Sequence, residues 1–145
     1  MEFKQVEIDE GIEGILEIAK LSFEKFYPKE KIYNQLKDKK YWIFVAIEKG
    51  KIIGFKIWYE EKSHIYSWLG AVHPDYRRKG VATELMKIQF RISKENGYKQ
   101  IIVKTHIGHP EMIEFLEKEG FTKFKTDKNH WNNGRDALFF KKIIL

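Results

Sequence analysis

The chain contains no cysteine. Disulfides, thiolate metal sites and a cysteine nucleophile are therefore excluded at the outset. Proline is scarce, with 3 in 145 residues. Nowhere do about 18 apolar residues follow one another without a charge, so no membrane span is expected. The opening residues, MEFKQVEIDEG, lack the apolar stretch of a signal peptide, which makes the cytoplasm the expected address. Several binding and catalytic signatures are missing as well. No GxGxxG follows a strand-like run and no GxxxxGK[ST] occurs, while Ser22, Ser63, Ser67 and Ser93 all lie outside a GxSxG context.

What is present points to a single folded domain. Apolar residues make up 43% and aromatics 15% of the chain, enough for one substantial core over residues 1–145. The formal charge of +6 favours anionic partners: a phosphorylated cofactor, nucleic acid or a membrane surface. The excess is local. Arg77, Arg78, Lys79, Lys87, Arg91, Lys94 and Lys99 crowd one segment, whereas GHPEMIEFLEKEG carries Glu111, Glu114, Glu117 and Glu119.

Periodicity places the elements. FKQVEI alternates as a first strand, and apolar residues at Ile12, Ile15, Leu16, Ala19, Phe23 and Phe26 predict a helix from Asp9 to Phe26. Pro28 opens a second helix through KEKIYNQLKDK, and Lys49-Gly50 joins two β-rich runs as a hairpin. HIYSWLGAV makes a further strand. Val81, Leu85, Ile88 and Ile92 predict a helix over Arg78 to Asn96, stopped by Gly97. KQIIVKTH is a strand, Pro110 begins a helix that Gly120 ends, and FTKFKT and DALFFKKII close the chain around an Asn132-Asn133-Gly134 turn. No repeat or linker interrupts this order, so a single mixed α/β domain is expected.

The stretch with most chemical content is RRKGVA, Arg77 to Ala82, where a strand hands over to a helix. A helix start has unpaired N–H groups and the positive end of the helix dipole. A phosphate can accept from several of those groups if small residues leave the backbone open. Gly80 and Ala82 supply that opening, and Arg77, Arg78 and Lys79 supply charge. The junction is suited to a phosphate or diphosphate.

The longer run YSWLGAVHPDYRRKGVATELM resembles the acetyl-CoA-binding motif of the GNAT superfamily of N-acetyltransferases. That motif is Arg or Gln, two residues, Gly, one residue, then Gly or Ala; Arg77, Gly80 and Ala82 meet it. VAIEKGKIIGFKI is similar to the family's second and third strands, KQIIVKTH to its fifth, EFLEKEGF to its last helix and DALFFKKII to its closing strand. The resemblance implies a mixed, mostly antiparallel sheet of about seven strands with about four helices on its faces, strands four and five splayed for acetyl-CoA. It places the diphosphate on the N–H groups of Arg78, Lys79, Gly80, Val81, Ala82 and Thr83, and pairs the cofactor arm with the backbone of Ala71 and Val72. His109 stands where many relatives place an asparagine that touches that arm.

The implied reaction is attack of an amine on a thioester. Keeping an alkylamine neutral at pH 7 costs roughly 4–5 kcal/mol, so a base or water relay is needed. The developing oxyanion needs a donor, for which the backbone near Val72 is the candidate. Tyr66 stands where some relatives carry a glutamate, although tyrosine is a weak base unless its pKa is strongly displaced. Glu60, Glu61 and His64 surround the preceding turn and can act through water; Glu60 and His109 join Tyr66 as catalytic candidates. The family pattern LYEKLGF has a tyrosine acid where this chain has Leu116, which leaves water, His106 or His109 to protonate the departing thiolate.

Two classes stay open: an acetyl-CoA-dependent N-acyltransferase, and a weakened module that binds coenzyme A or nucleic acid without efficient transfer. Trp42, Trp58, Trp68 and Trp131 could stack on bases, but three fall in expected core strands, so nucleic acid is not expected. His106 and His109 alone fall short of a metal site, and none is expected. The acceptor, a small-molecule amine or a peptide or protein amine, is expected between the first helices, the loop near Glu60 and the hairpin HWNNGRD with Trp131 and Arg135, in a monomer or homodimer.

Overall fold

Lys49 and Gly50 both have positive φ, 52° and 76°, the paired left-handed geometry of a type I′ turn. They join β2 (Tyr41–Glu48) to β3 (Lys51–Glu61), and a further tight turn leads into β4 (His64–Val72). This antiparallel meander is the centre of the computed structural model, which describes residues 1–23 and 27–145. Around it lie β1 (Glu2–Gln5), α1 (Ile8–Ser22), α2 (Lys29–Leu36), α3 (Val81–Glu95), β5 (Gln100–His106), α4 (Pro110–Lys118), β6 (Thr122–Asp127) and β7 (Ala137–Ile143). The seven strands form one sheet in the order β1-β2-β3-β4-β5-β7-β6. Only β4 and β5 run parallel, as α3 carries the chain between them.

Alternation along the strands gives each face its own core. Ile43, Val45, Phe55, Ile57 and Tyr59 pack under Ile12, Ile15 and Ile18 of α1 and Ile32 and Leu36 of α2. Trp42, Phe44, Trp58, Ile101, Val103 and Phe140 pack under Leu85, Met86 and Ile88 of α3 and Leu116 of α4. Trp42 and Trp58 are thus core residues, 7% and 0% exposed, which removes them as base-stacking platforms.

Three helix boundaries differ from the periodic pattern: α2 stops at Leu36 rather than Lys39, as Lys37 turns to ψ of 132° and Asp38 to φ of 60°. α1 ends at Ser22, and Phe23 turns to an extended conformation while its N–H still bonds to the Ala19 carbonyl; Phe26 lies outside the described residues. α3 begins at Val81 rather than Arg78, because Arg78 and Gly80 have φ of 62° and 80° and cannot continue a right-handed helix. The basic triplet therefore forms a loop before the helix.

One irregularity shapes the sheet. Between β3 and β4, Ile57 pairs with Leu69 but Trp58 pairs with Ser67, leaving Trp68 as an extra residue. A bulge bends its strand and increases the local twist. β4 and β5 pair only from Ile65↔Ile101 to Ser67↔Val103, and β4 then leaves its neighbour while β5 stays paired with β7 as far as His106↔Ala137. The splay begins at the bulge.

Candidate active site

The loop Arg78-Lys79-Gly80 alternates the sign of φ on entering α3, with only Arg78 and Gly80 positive. Such alternation turns successive N–H groups toward one side, a concavity suited to anions. Gly80 is the N-cap of α3, and no side chain caps the helix. The first N–H groups of the helix are therefore available to an outside acceptor. A Cβ at Gly80 would meet nothing within 4 Å, so the backbone there is approachable. The Arg77 guanidinium ties the loop down, donating from Nε to the Val72 carbonyl (3.2 Å) and from Nη2 to Ser22 Oγ (3.4 Å).

The strand edge beside this loop is open, and one backbone hydrogen bond fixes which residues face it. The His73 N–H bonds to the Ile53 carbonyl at 2.8 Å. Backbone groups of successive strand residues face opposite edges, so Val72 and Gly70 turn theirs away from β3 into the splay. Ala71 turns its groups toward β3; its carbonyl lies 3.4 Å from the position of a Cβ on Gly54. This corrects the expectation for Ala71: the backbone groups that face the splay belong to Gly70 and Val72, and the Val72 carbonyl accepts from Arg77 Nε.

On the face covered by α1 and α2, Tyr66 packs against Tyr59, ring centroids 5.4 Å apart, and Tyr59 against Trp68 at 6.3 Å. Burial pushes the Tyr66 hydroxyl far above its usual pKa, and Tyr59, Glu61 and Tyr27 add to the shift. That direction is opposite to what a base requires. A hydroxyl shifted in that direction is suited to donate a proton rather than to accept one.

Glu60 does not join it. Its neighbour Tyr59 faces the α1 core, so Glu60 projects from the opposite face, where its carboxylate accepts from the Tyr98 hydroxyl. Glu61 lies on the Tyr66 side and near Lys104, since its charge acts on both groups. His64 lies 3.8 Å from Glu61.

Lys104, Asp127 and His130 are the group that sequence reading missed. Ile101 and Val103 enter the α3 core, so Lys104 projects from the other face, one position beyond the last β4·β5 pair. Its Nζ is 3.5 Å from His130 Nε2, and His130 Nδ1 is 2.5 Å from Asp127 Oδ2. The Trp131 ring lies 5.8 Å from the Lys104 amine and 4.9 Å from the His130 ring. The β6–β7 loop that carries these groups is stapled by side chains. Asp136 accepts from the Asn129 N–H (3.0 Å), and the Asn129 side chain accepts from the Gly134 N–H (2.7 Å). Burial lowers the Lys104 pKa, against the opposing pull of Glu61 and Asp127. The hydrogen bond from His130 holds the Asp127 carboxyl below its ordinary range.

A basic loop with φ alternation, an open parallel-strand edge and this strand order together fit one known architecture. The family model described as Acetyltransferase (GNAT) family matches residues 12–121. The chain belongs to the GNAT family of acetyltransferases. An N-alpha-acetyltransferase of Saccharolobus solfataricus is 28% identical over 151 aligned positions, covering 93% of this chain and 89% of that protein. The crystal structure of the ribosomal-protein-S18-alanine N-acetyltransferase of Escherichia coli superposes with a TM-score of 0.88 at 17% identity, covering 99% of this chain and 93% of that one. An aminoglycoside 6′-N-acetyltransferase crystallised with coenzyme A superposes at 0.85 with 12% identity, covering 100% of this chain and 98% of that one.

Other positions of this GNAT chain fall as follows. Leu116, at the family's tyrosine position, is 1% exposed in the α3–α4 core. His109 is the N-cap of α4, its Nδ1 accepting from the Met112 N–H at 3.3 Å, which places the ring proton on Nε2. Its ring centroid is 5.6 Å from that of His106. Among the described residues no group of three or more His, Cys, Asp or Glu is arranged to hold a metal ion, and no helix is long and apolar enough to cross a membrane.

Lys56 is a half-buried cation outside the site. It sits between Phe44 and Gly70 on the α3 face, and burial pushes its amine down to about 8. A lysine with a depressed folded pKa penalises the fold below that value, and the penalty disappears as pH rises to the unfolded value of 10.5. Lys56→Met is therefore expected to stabilise the protein at pH 7 by up to about 3 kcal/mol, the gain fading toward pH 10.5. Urea unfolding at the two pH values checks this. An equal gain at both would assign the effect to packing.

Proposed function

We propose that this protein transfers an acetyl group from acetyl-CoA to the α-amine of a peptide or protein N terminus. The observation that carries the reading is the continuity of an anion-binding loop with an open strand edge at the β4–α3 junction. A diphosphate joined to an amide-bearing arm uses both features at once. Arg78, Lys79 and the N–H groups from Gly80 to Thr83 would hold the diphosphate. Gly70 would pair with the arm, with His109 at the end of α4 nearest β5. Bound there, acetyl-CoA supplies an activated acyl group.

The chain's own residues then supply orientation and polarity. The Val72 N–H is a strand-edge donor for an oxygen that gains negative charge. Tyr66, held protonated, donates a hydrogen bond on the acceptor side. Glu61 and Asp127 give that side negative charge suited to a cationic chain terminus. The Saccharolobus relative, an N-alpha-acetyltransferase aligned over nearly the whole chain, supports the peptide α-amine as acceptor class.

Thiol release from acetyl-CoA tests the reading, because the cysteine-free chain adds no thiol of its own. Release is expected with peptides bearing a free N terminus and no lysine, and none with the same peptides N-acetylated. Binding of acetyl-CoA without release to any free amine would overturn it.

A further inference from the structure

We propose that Lys104 is the proton acceptor for the incoming amine, and that His130 and Asp127 position it and carry the proton away. The inference rests on the N-acetyltransferase reading and names how that site removes a proton. Three independent placements support it. Lys104 stands on the Tyr66 face at the point where β4 and β5 part, where an acceptor amine would meet an acyl group lying along the β4 edge. Its Nζ, His130 Nε2 and His130 Nδ1 line up with the Asp127 carboxylate through contacts of 3.5 and 2.5 Å. The Trp131 ring covers the amine, and the stapled loop fixes both aromatic groups.

The protons balance in this arrangement. With Asp127 holding the Nδ1–H, the Nε2 lone pair of His130 faces Lys104, whose amine is neutral in the proton-poor form. An N–H bond of the acceptor ammonium breaks toward the Nζ lone pair, which makes Lys104 an ammonium and leaves a neutral amine; its nitrogen bonds to the thioester carbon as the C–S bond breaks, and the second proton it sheds goes through water to the departing thiolate. Lys104 passes one proton to Nε2. His130 becomes an imidazolium beside the Asp127 carboxylate and, with a side chain 27% exposed, releases the proton to water. The partial burial that lowers the Lys104 pKa brings the lysine closer to the working pH, as a base requires. The titratable and charged groups that face Lys104 or its cover are Glu61 from β3, Asp127 from β6, His130 on the loop and His106, which contacts Trp131 at 6.1 Å.

The experiment measures kcat/KM against pH with a lysine-free peptide acceptor for the wild type, Lys104→Met, Lys104→Arg and Asp127→Asn. Calorimetric binding of acetyl-CoA is measured on the same proteins. Lys104→Met is expected to lose about hundredfold in kcat/KM at pH 7, and the loss should shrink as the acceptor deprotonates on its own toward pH 10. Lys104→Arg keeps the charge but cannot accept a proton, so it should be as impaired as the methionine variant. Asp127→Asn is expected to lower the pKa of Lys104 further, read by the NMR titration of its ε-methylene, because a carboxylate that raises it is gone. Full activity in the arginine variant, or a loss independent of pH, would overturn the proposal while leaving the acetyltransferase reading intact. Unchanged acetyl-CoA binding with no turnover in the wild type would instead sink that reading.

Discussion

Gly80→Glu is expected to reduce acetyl-CoA affinity about thousandfold. A carboxylate placed about 4 Å from the diphosphate adds a repulsion of about 4 kcal/mol at the effective dielectric of a protein surface. Gly80 has φ of 80°, so any side chain also carries the strain of a left-handed residue, about 1 kcal/mol. Gly80→Ala separates the two effects. Its methyl would meet nothing within 4 Å, so it should lose about 1 kcal/mol of stability and bind acetyl-CoA nearly as the wild type does. Calorimetric titration of the three proteins, with their thermal unfolding, is the measurement. Equal affinity in the wild type and the glutamate variant would show that the anion does not sit on this loop.

That loop was legible in the sequence because everything it needs is contiguous. A residue without a side chain, small neighbours and basic residues sit within RRKGVA, although the left-handed Arg78 and Gly80 delay the helix from the expected Arg78 to Val81. The two-faced core was legible for a similar reason: alternation in KQIIVKTH decides which residues each face buries. The catalytic side was not, since it depends on parity and on distant pairing. Glu60 and Glu61 are indistinguishable by composition, yet a shift of one residue sends one to Tyr98 and the other toward Tyr66 and Lys104. Trp68 read as an ordinary strand residue because a bulge exists only relative to its partner strand. Lys104 and His130 are brought together by the β5–β7–β6 pairing, and the only local hint was the three-residue spacing of Asp127 and His130. The tyrosine's absence at Leu116 was visible in the sequence, but its consequence lies in the fold, where that position is core.

Val72→Pro is expected to reduce kcat by about a hundred- to a thousandfold with little effect on stability. The Val72 N–H faces the splay and takes no part in the β3 ladder, as the bond from His73 to Ile53 requires. Removing it therefore breaks no sheet hydrogen bond, and proline is tolerated at an unpaired strand edge. What it removes is the donor placed for an oxygen that gains charge as the amine adds, a class of loss that costs about 2.7–4 kcal/mol in other acyl-transfer sites. Val72→Ala keeps the N–H and serves as the control for the lost side chain, which packs beside the α3 core. Steady-state rates at saturating acetyl-CoA, with unfolding curves for both variants, decide the matter. If proline and alanine slow the enzyme equally, the backbone donor has no part in the reaction, and Tyr66, the protonated hydroxyl on the acceptor side, becomes the group to remove next.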